Sequence, residues 1–153
     1  MRWFWKSILL MMLLLPAILY HLVRIFVGRE KAIKFFYPRI ASLGAKVLSL
    51  NIPTLQENEK FSVFQNNFTK VLSRMPFEKI EVTVADSNKF QIKVTLCQFT
   101  EVFRLLGMDD LSKALCDGDV IFCEKYQPNV KFEREHTIQK GDSYCDHTFI
   151  PQK

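Results

Sequence analysis

The sequence predicts an α+β fold: an N-terminal membrane helix and amphipathic helices, then a β-β-α-α-β-β domain with an antiparallel sheet. Three observations predict it. An uncharged apolar stretch lies near the start of the 153-residue chain. Apolar residues then recur at helical spacing over residues 30–75, and from residue 80 the spacing alternates between two and about 3.6. A chain of this length has room for one ordinary domain.

The apolar stretch comprises the seventeen residues between Lys6 and Arg24. As a helix it spans about 26 Å, close to the roughly 30 Å of a hydrocarbon core. No small-x-small cleavage site follows it, so we expect residues 1–28 to be an uncleaved single-pass membrane anchor rather than a signal peptide. A buried or interfacial helix is the other alternative. More basic residues follow the stretch than precede it, which predicts that the C-terminal domain is cytoplasmic.

The net charge of +5 is unevenly distributed. Residues 1–50 contain eight basic residues and one acid, Glu30, whereas the remaining residues have a net charge of −2. A nucleic-acid-binding domain needs a basic face on its folded part. The charge distribution therefore argues against nucleic acid as a partner.

Residues 29–76 are predicted to be an amphipathic helical segment. Residues 30–50 have helical periodicity, with Pro38 as a kink or restart, and a polar loop follows at residues 54–60. A second helix begins at Phe61 and is closed by Pro76. Its phenylalanine stripe is interpreted as core packing, with an aromatic ligand pocket as the alternative.

Residues 77–153 are predicted to be the α+β domain. Residues 80–84 and 90–96 alternate as strands around an Asp86-Ser87-Asn88 turn, so they should form a hairpin. A helix ending at Gly107 and a second helix over residues 109–126, broken at Gly118, come next. Two more strands, residues 130–138 and 144–150, flank the Lys140-Gly141-Asp142 turn.

Five short pieces of this block carry a family resemblance. They are Cys97 before an aromatic residue with Phe103-x-x-x-Gly107, Cys116-Asp117-x-Asp119, Phe132-x-Arg134-x-x-Thr137, Gly141-Asp142, and Cys145-Asp146-x-x-Phe149. In this order they resemble the L-2-amino-thiazoline-4-carboxylic acid hydrolase family. More distantly, the block resembles small-molecule-binding domains of the vinyl-reductase type.

The resemblance implies hydrolytic opening of a small cyclic substrate that bears a carboxylate. Water adds to the ring carbon between nitrogen and sulfur, and the C–S bond breaks. Such chemistry needs a base for the water, a donor to the ring nitrogen, an acid for the leaving thiolate and a cation for the carboxylate. It implies neither a cofactor nor a metal.

Asp119 is the candidate base, because partial burial would raise its pKa, and Asp117 is a candidate substrate contact. Capping of a helix that starts at residue 119 is the structural alternative for both. Arg134 is the candidate for binding the substrate carboxylate, with Thr137 beside it. Its alternative is an internal ion pair, for which Asp146 is the expected partner.

Cys97 and Cys145 are candidate nucleophiles if a cation lowers the pKa of their thiols. Asp146 is a further candidate catalytic residue. Cys116 and Cys123 are expected to pack more deeply in helices. No cysteine or histidine spacing identifies a metal site. Three hypotheses follow: a membrane-anchored hydrolase, a non-catalytic small-molecule-binding module of the same fold, and a membrane-proximal scaffold. The oligomeric state stays open.

Overall fold

A computed structural model describes residues 2–152 of the chain. The elements in chain order are α1 (Arg2–Val27), α2 (Arg29–Asn51), α3 (Phe61–Leu72), β1 (Glu78–Ala85), β2 (Phe90–Cys97), α4 (Gln98–Leu105), α5 (Asp109–Tyr126), β3 (Val130–Glu133), a short 3-10 helix (Ile138–Lys140) and β4 (Cys145–Pro151). The predicted α+β class and the β-β-α-α-β-β order are confirmed.

The four strands form one antiparallel sheet in the order β1-β2-β4-β3. The predicted hairpin joins β1 to β2, and Asp86 fixes its turn because the side-chain Oδ1 accepts the backbone N–H groups of Asn88 and Lys89, both at 2.8 Å. β4 lies between β2 and β3, so the two halves of the sheet meet along it. β4 therefore places its side chains, including Cys145 and His147, near the centre of the sheet.

The main core lies between the sheet and helices α2, α3 and α5. The predicted phenylalanine stripe of α3 is buried here, and its rings meet aromatic rings from the sheet and from α5. The central rings are Phe64, Phe68, Phe90, Phe122 and Phe149. The core-packing interpretation of this stripe is therefore confirmed.

Helix α5 runs unbroken through Gly118, so the predicted helix break is wrong. A Cβ built on Gly118 would lie 3.1 Å from the carbonyl oxygen of Ala41 and 3.6 Å from Cα of Gly44, both on α2. The glycine therefore permits two helices to approach closely rather than ending one. Helix α2 likewise continues through Pro38.

The third strand is shorter than predicted. β3 ends at Glu133, and residues 134–137 leave the sheet before the short 3-10 helix. The predicted end of a helix at Gly107 agrees with the structure, where α4 ends at Leu105 and Gly107 has a φ of +67°, a conformation that glycine adopts readily.

Helix α1 contains one stretch, Trp3–Val27, that is long and apolar enough to cross a membrane. The same length and composition also occur in core helices of soluble proteins and in signal sequences. α1 packs against α2 and α4 in a second, smaller core around Tyr20, Phe103 and Met108. The division of the chain at residues 28 and 76 stays a prediction.

Candidate functional site

A cluster of polar and thiol side chains continues the helix-facing side of the sheet beyond the aromatic core. On β4, Cys145, His147 and Phe149 alternate with outward-facing residues, and Phe149 belongs to the core. Asp119 and Cys116 lie about one and two turns, respectively, before Phe122 on α5. The helix thus covers the sheet with an apolar turn at one end and polar turns at the other.

Arg134 connects the sheet side of this cluster to α5. It follows β3 in phase with the inward-facing Phe132, and its guanidinium carbon lies 5.5 Å from the centre of that ring. Its Nη1 donates to the carbonyl of Cys116 at 3.0 Å and to Oδ2 of Asp119 at 3.4 Å, and Nη2 lies 3.9 Å from Oδ1 of Asp117. The predicted internal ion pair exists, but with the acids of α5.

Asp146 is not the partner of Arg134, so that expectation is wrong. Its Oδ1 accepts the backbone N–H of His136 at 2.5 Å and that of Glu135 at 3.2 Å. The physical reason is the early end of β3: once the chain leaves the ladder, its N–H groups need other acceptors. Asp146 therefore accepts backbone amides of residues 135 and 136 instead of pairing with Arg134.

Thr137 lies in the same segment and is buried. Its backbone N–H donates to Oδ2 of Asp142 at 2.7 Å, and no hydrogen bond to its Oγ1 is found among residues 2–152. The backbone of Thr137 is thus bonded to Asp142, in the turn at residues 140–142.

Asp119 is partly buried on α5 beside Arg134. Burial raises its pKa to about 7, against the opposing effect of Arg134, and the charges of Glu78 and Asp117 add to the rise. It does not cap a helix, because α5 begins ten residues earlier, at Asp109. A carboxyl group with such a pKa exchanges protons readily near neutral pH.

His147 faces the same carboxyl group. Its Nε2 lies 3.9 Å from Oδ2 of Asp119, and burial with the nearby Arg134 lowers the pKa of the imidazole to about 3. The ring is therefore neutral at physiological pH and can donate or accept a hydrogen bond without carrying charge.

Glu78 is a site residue that the sequence analysis missed. It pairs with Cys97 across β1 and β2, and the thiol donates to its Oε1 at 3.7 Å. Burial raises the pKa of Glu78 to about 7. The signal was present in the sequence, since residue 78 precedes Ile80 by two positions and so continues the inward-facing alternation of that strand.

The cysteines gather near the acids but are not activated. Burial raises the pKa of Cys97 and of Cys116 to about 12, with added contributions from Glu78 and Asp119 respectively. Burial also raises the pKa of Cys145, whose Sγ accepts the N–H of Ile138 at 3.2 Å. Thiols with raised pKa values are weak nucleophiles at neutral pH.

Asp117 contacts more than Arg134. Tyr37 of α2 donates to its Oδ2, and Nζ of Lys113 lies 3.2 Å from the same oxygen. The pKa of the Tyr37 hydroxyl is raised by burial and by this hydrogen bond. Asp117 is therefore held between α2 and α5, beside the cluster.

The cluster is only partly open to solvent. The exposed fractions of the side chains are 10% for Arg134, 14% for His147 and 23% for Asp119. Two surface grooves lie elsewhere, one lined mainly by α3 and the segments flanking it, the other by residues 54–58 and 128–129. Of these three side chains, Asp119 is the most accessible to a ligand.

Within the described residues 2–152, a different group has metal-ligand chemistry. The ligand atoms of Glu135, His136 and Asp146 all lie within 4.8 Å of one another. Asp146 already accepts two backbone N–H groups, and the His136 side chain is 42% exposed. These observations do not favour a metal centre over the turn contacts described above.

Comparison with known proteins places the chain in a family. The profile of the L-2-amino-thiazoline-4-carboxylic acid hydrolase family matches residues 8–149, so the similarity extends through the N-terminal helices as well as the C-terminal block. No curated protein sequence matches significantly. Among solved structures, the chain is similar to the phenol-responsive sensory domain of the transcription activator PoxR with phenol, at 10% identity and a TM-score of 0.42, over 89% of this chain and 72% of that one. Because the family profile covers nearly the whole sequence, the chain belongs to the L-2-amino-thiazoline-4-carboxylic acid hydrolase family.

Proposed function

We propose that this protein is a hydrolase that opens a small cyclic amidine or amide bearing a carboxylate, as the name of its family suggests. The observation that carries the proposal is the pair of buried acids, Asp119 and Glu78, whose charges interact and which both have a pKa of about 7, with the neutral imidazole of His147 beside Asp119. Carboxyl groups tuned to neutral pH are suited to moving protons in both directions.

In the proposed reaction Asp119 takes a proton from water as the oxygen attacks the ring carbon between nitrogen and sulfur. Asp119 then passes this proton to the ring nitrogen. As the carbonyl forms, the C–S bond breaks, and the sulfur takes the other proton, relayed by Glu78. The product is an N-carbamoyl amino acid with a free thiol, so all atoms and protons of the water are accounted for.

Arg134 has a positioning role in this scheme. Its contacts with the Cys116 carbonyl and with Asp119 hold the base in place. Binding of a substrate carboxylate would require Arg134 to exchange one of these contacts, and Thr137 and Asp117 are the further candidates for substrate contact. A thiolate attack by Cys97 or Cys145 is the rival mechanism, and the raised pKa values of both thiols argue against it.

The experiment is to incubate the purified full-length protein with 2-amino-thiazoline-4-carboxylate, remove the protein by ultrafiltration, and measure new thiol in the filtrate. Asp119→Asn should reduce kcat by roughly 10²- to 10⁴-fold, the usual contribution of a general base. Glu124→Gln, an exposed position on the same helix, is the matched control. Equal turnover by Asp119→Asn and wild type would exclude Asp119 as the base.

A second candidate, a non-catalytic binding module, is favoured by one observation. Arg134 is 10% exposed and is already bonded to a carbonyl and two carboxyl groups, as a purely structural arginine would be. This function predicts that calorimetry detects binding of the same acid while no thiol appears in the filtrate.

The enzyme is further proposed to act at a membrane through α1, with its domain on the cytoplasmic side. The apolar stretch of Trp3–Val27 and the basic residues that follow it support this placement. Cell fractionation, with protease treatment of intact and lysed cells carrying a C-terminal epitope, tests both the attachment and the side.

A further inference from the structure

Helix α1 is not a free anchor, because one of its faces packs on the domain along most of its length. Leu9, Ala17 and Tyr20 are buried at helical spacing, and Tyr20 meets the ring of Phe36 at 5.6 Å. Near the helix start, the ring of Trp5 lies 5.9 Å from that of Phe77. The packed face therefore extends from the first turns of the helix to its last third.

Polar contacts fasten the helix at several points. Nζ of Lys6 lies 2.7 Å from Oε2 of Glu101 on α4, and Nε2 of His21 lies 2.8 Å from the carbonyl oxygen of Leu106. Just beyond the C-terminal end, Arg29 binds Asp110 of α5 through two nitrogens, one at 2.8 Å. These contacts hold α1 and the residue after it against charged and polar groups of the domain, and such groups are costly to place in a hydrocarbon core.

A spanning arrangement conflicts with this packing. If α1 crossed a bilayer as packed, the charged Glu101 and Arg104 of α4 would enter the membrane with it. If α1 instead left the domain, it would expose the apolar cluster around Phe103, Met108 and Leu111. Each route carries a cost that a helix lying along the surface avoids.

The opposite face of α1 is exposed along the helix and is apolar apart from Ser7. Trp3 is 81% exposed, Met11 76%, Leu15 75% and Phe26 83%. These positions recur at intervals of eight, four and eleven residues, which keeps them on one side of a helix. Such a continuous stripe is larger than the isolated apolar side chains usual on a soluble surface.

The charge around the stripe indicates which partner covers it. Residues 1–50 contain eight basic residues and one acid, and Lys31 and Lys34 are exposed on the first turns of α2, next to the end of the stripe. A second copy of the chain would bring two such basic segments together. Anionic lipid headgroups complement the charge, and their acyl chains complement the stripe.

We infer that α1 lies in the plane of an anionic membrane, with its exposed face at the boundary between headgroups and acyl chains and its other face on the domain, rather than spanning the bilayer. The inference rests on the proposed membrane attachment and specifies its geometry. It also keeps the domain, and with it Asp119, at the membrane surface.

The depth of single tryptophans in α1 tests the inference. The chain has two tryptophans, Trp3 and Trp5, so a Trp3→Phe, Trp5→Phe background allows single probes at Leu15→Trp or Phe26→Trp, both at exposed positions. The full-length protein is mixed with phosphatidylcholine vesicles, with or without phosphatidylglycerol, that contain lipids brominated at different depths. Circular dichroism of each variant checks that it is folded.

The in-plane arrangement predicts equally shallow quenching at positions 15 and 26. It also predicts roughly tenfold tighter binding to the anionic vesicles, lost in Lys31→Glu, Lys34→Glu. Deep quenching at position 15 with shallow quenching at 26 would overturn the in-plane inference but retain the attachment. Absence of vesicle binding, or a dimer in sedimentation with no binding, would overturn both.

Discussion

Asp119→Asn should make the protein more stable above neutral pH, although it removes a partner of Arg134. Because burial raises the pKa of Asp119 to about 7, the folded state keeps its proton at pH values where the unfolded chain, near 3.9, has lost it. Between about pH 4 and 7 the folded state therefore binds more protons, and the free energy of unfolding falls as pH rises.

The size of the effect follows from the shift. About three pKa units at 1.4 kcal/mol each give an upper limit of about 4 kcal/mol at pH 8. The side chain is 23% exposed, so about half of this limit is a realistic expectation. Asparagine is neutral at every pH, so the variant should gain about 2 kcal/mol over wild type at pH 8 and little at pH 4.

Urea unfolding of wild type and variant at pH 4.5 and 8 measures this difference. His147 behaves oppositely, since its lowered pKa makes stability fall as pH drops below about 6.5, but it is present in both proteins and cancels in the comparison. Glu124→Gln controls for the loss of a carboxylate on an exposed part of α5. If Asp119→Asn were instead less stable by about 3–5 kcal/mol at pH 8, Asp119 would be an ionised partner in a buried ion pair.

Three further outcomes are expected. Arg134→Ala should lower the free energy of unfolding by about 3–5 kcal/mol at pH 8 and by less at pH 5, where Asp119 gains a proton. A loss of stability in urea unfolding that does not depend on pH would instead indicate that Arg134 contributes through packing alone. Iodoacetamide should label Cys97 of the native protein slowly at pH 8, as mass spectrometry would record, because its thiol pKa is about 12; rapid labelling would restore the nucleophile mechanism. Gly118→Val should cost about 1–3 kcal/mol in the same urea assay because α2 is in contact there, whereas Gly44→Ala, with one atom at 4.0 Å, should cost less.

Local patterns predicted the elements well where one effect dominated. The alternation around Asp86 predicted the hairpin, and the helical spacing of Phe61, Phe64 and Phe68 predicted a helix with a buried stripe. In both cases the side-chain period alone determines which face is covered. The proximity of Cys116, Asp119 and Cys123 on one helix was predictable for the same reason.

The predictions were wrong where a distant part of the chain determines whether a helix continues or a strand ends. Gly118 reads locally as a helix breaker, but the close approach of α2 makes it part of a continuous helix. The end of β3 at Glu133 depends on acceptors supplied by Asp146, which follows thirteen residues later. Because β3 ends before Arg134, the arginine side chain extends toward α5 and pairs with Asp119 instead of Asp146.

The position of the polar cluster in the fold explains why the pKa values of its acids are raised. Glu78, His147 and Arg134 each occupy, or directly follow, strand positions in phase with buried apolar residues, so forming the sheet necessarily carries them under the helices. Burial then raises the pKa of Glu78 and lowers the pKa of His147, which favours the neutral form of both groups. For Glu78, and for Asp119 on α5, the free energy lost by burying the ionised carboxylate is the same free energy that keeps a proton exchangeable near pH 7. Asp119→Asn and Glu78→Gln should therefore gain stability at pH 8 and lose turnover together, a correlation that a purely structural cluster would not produce.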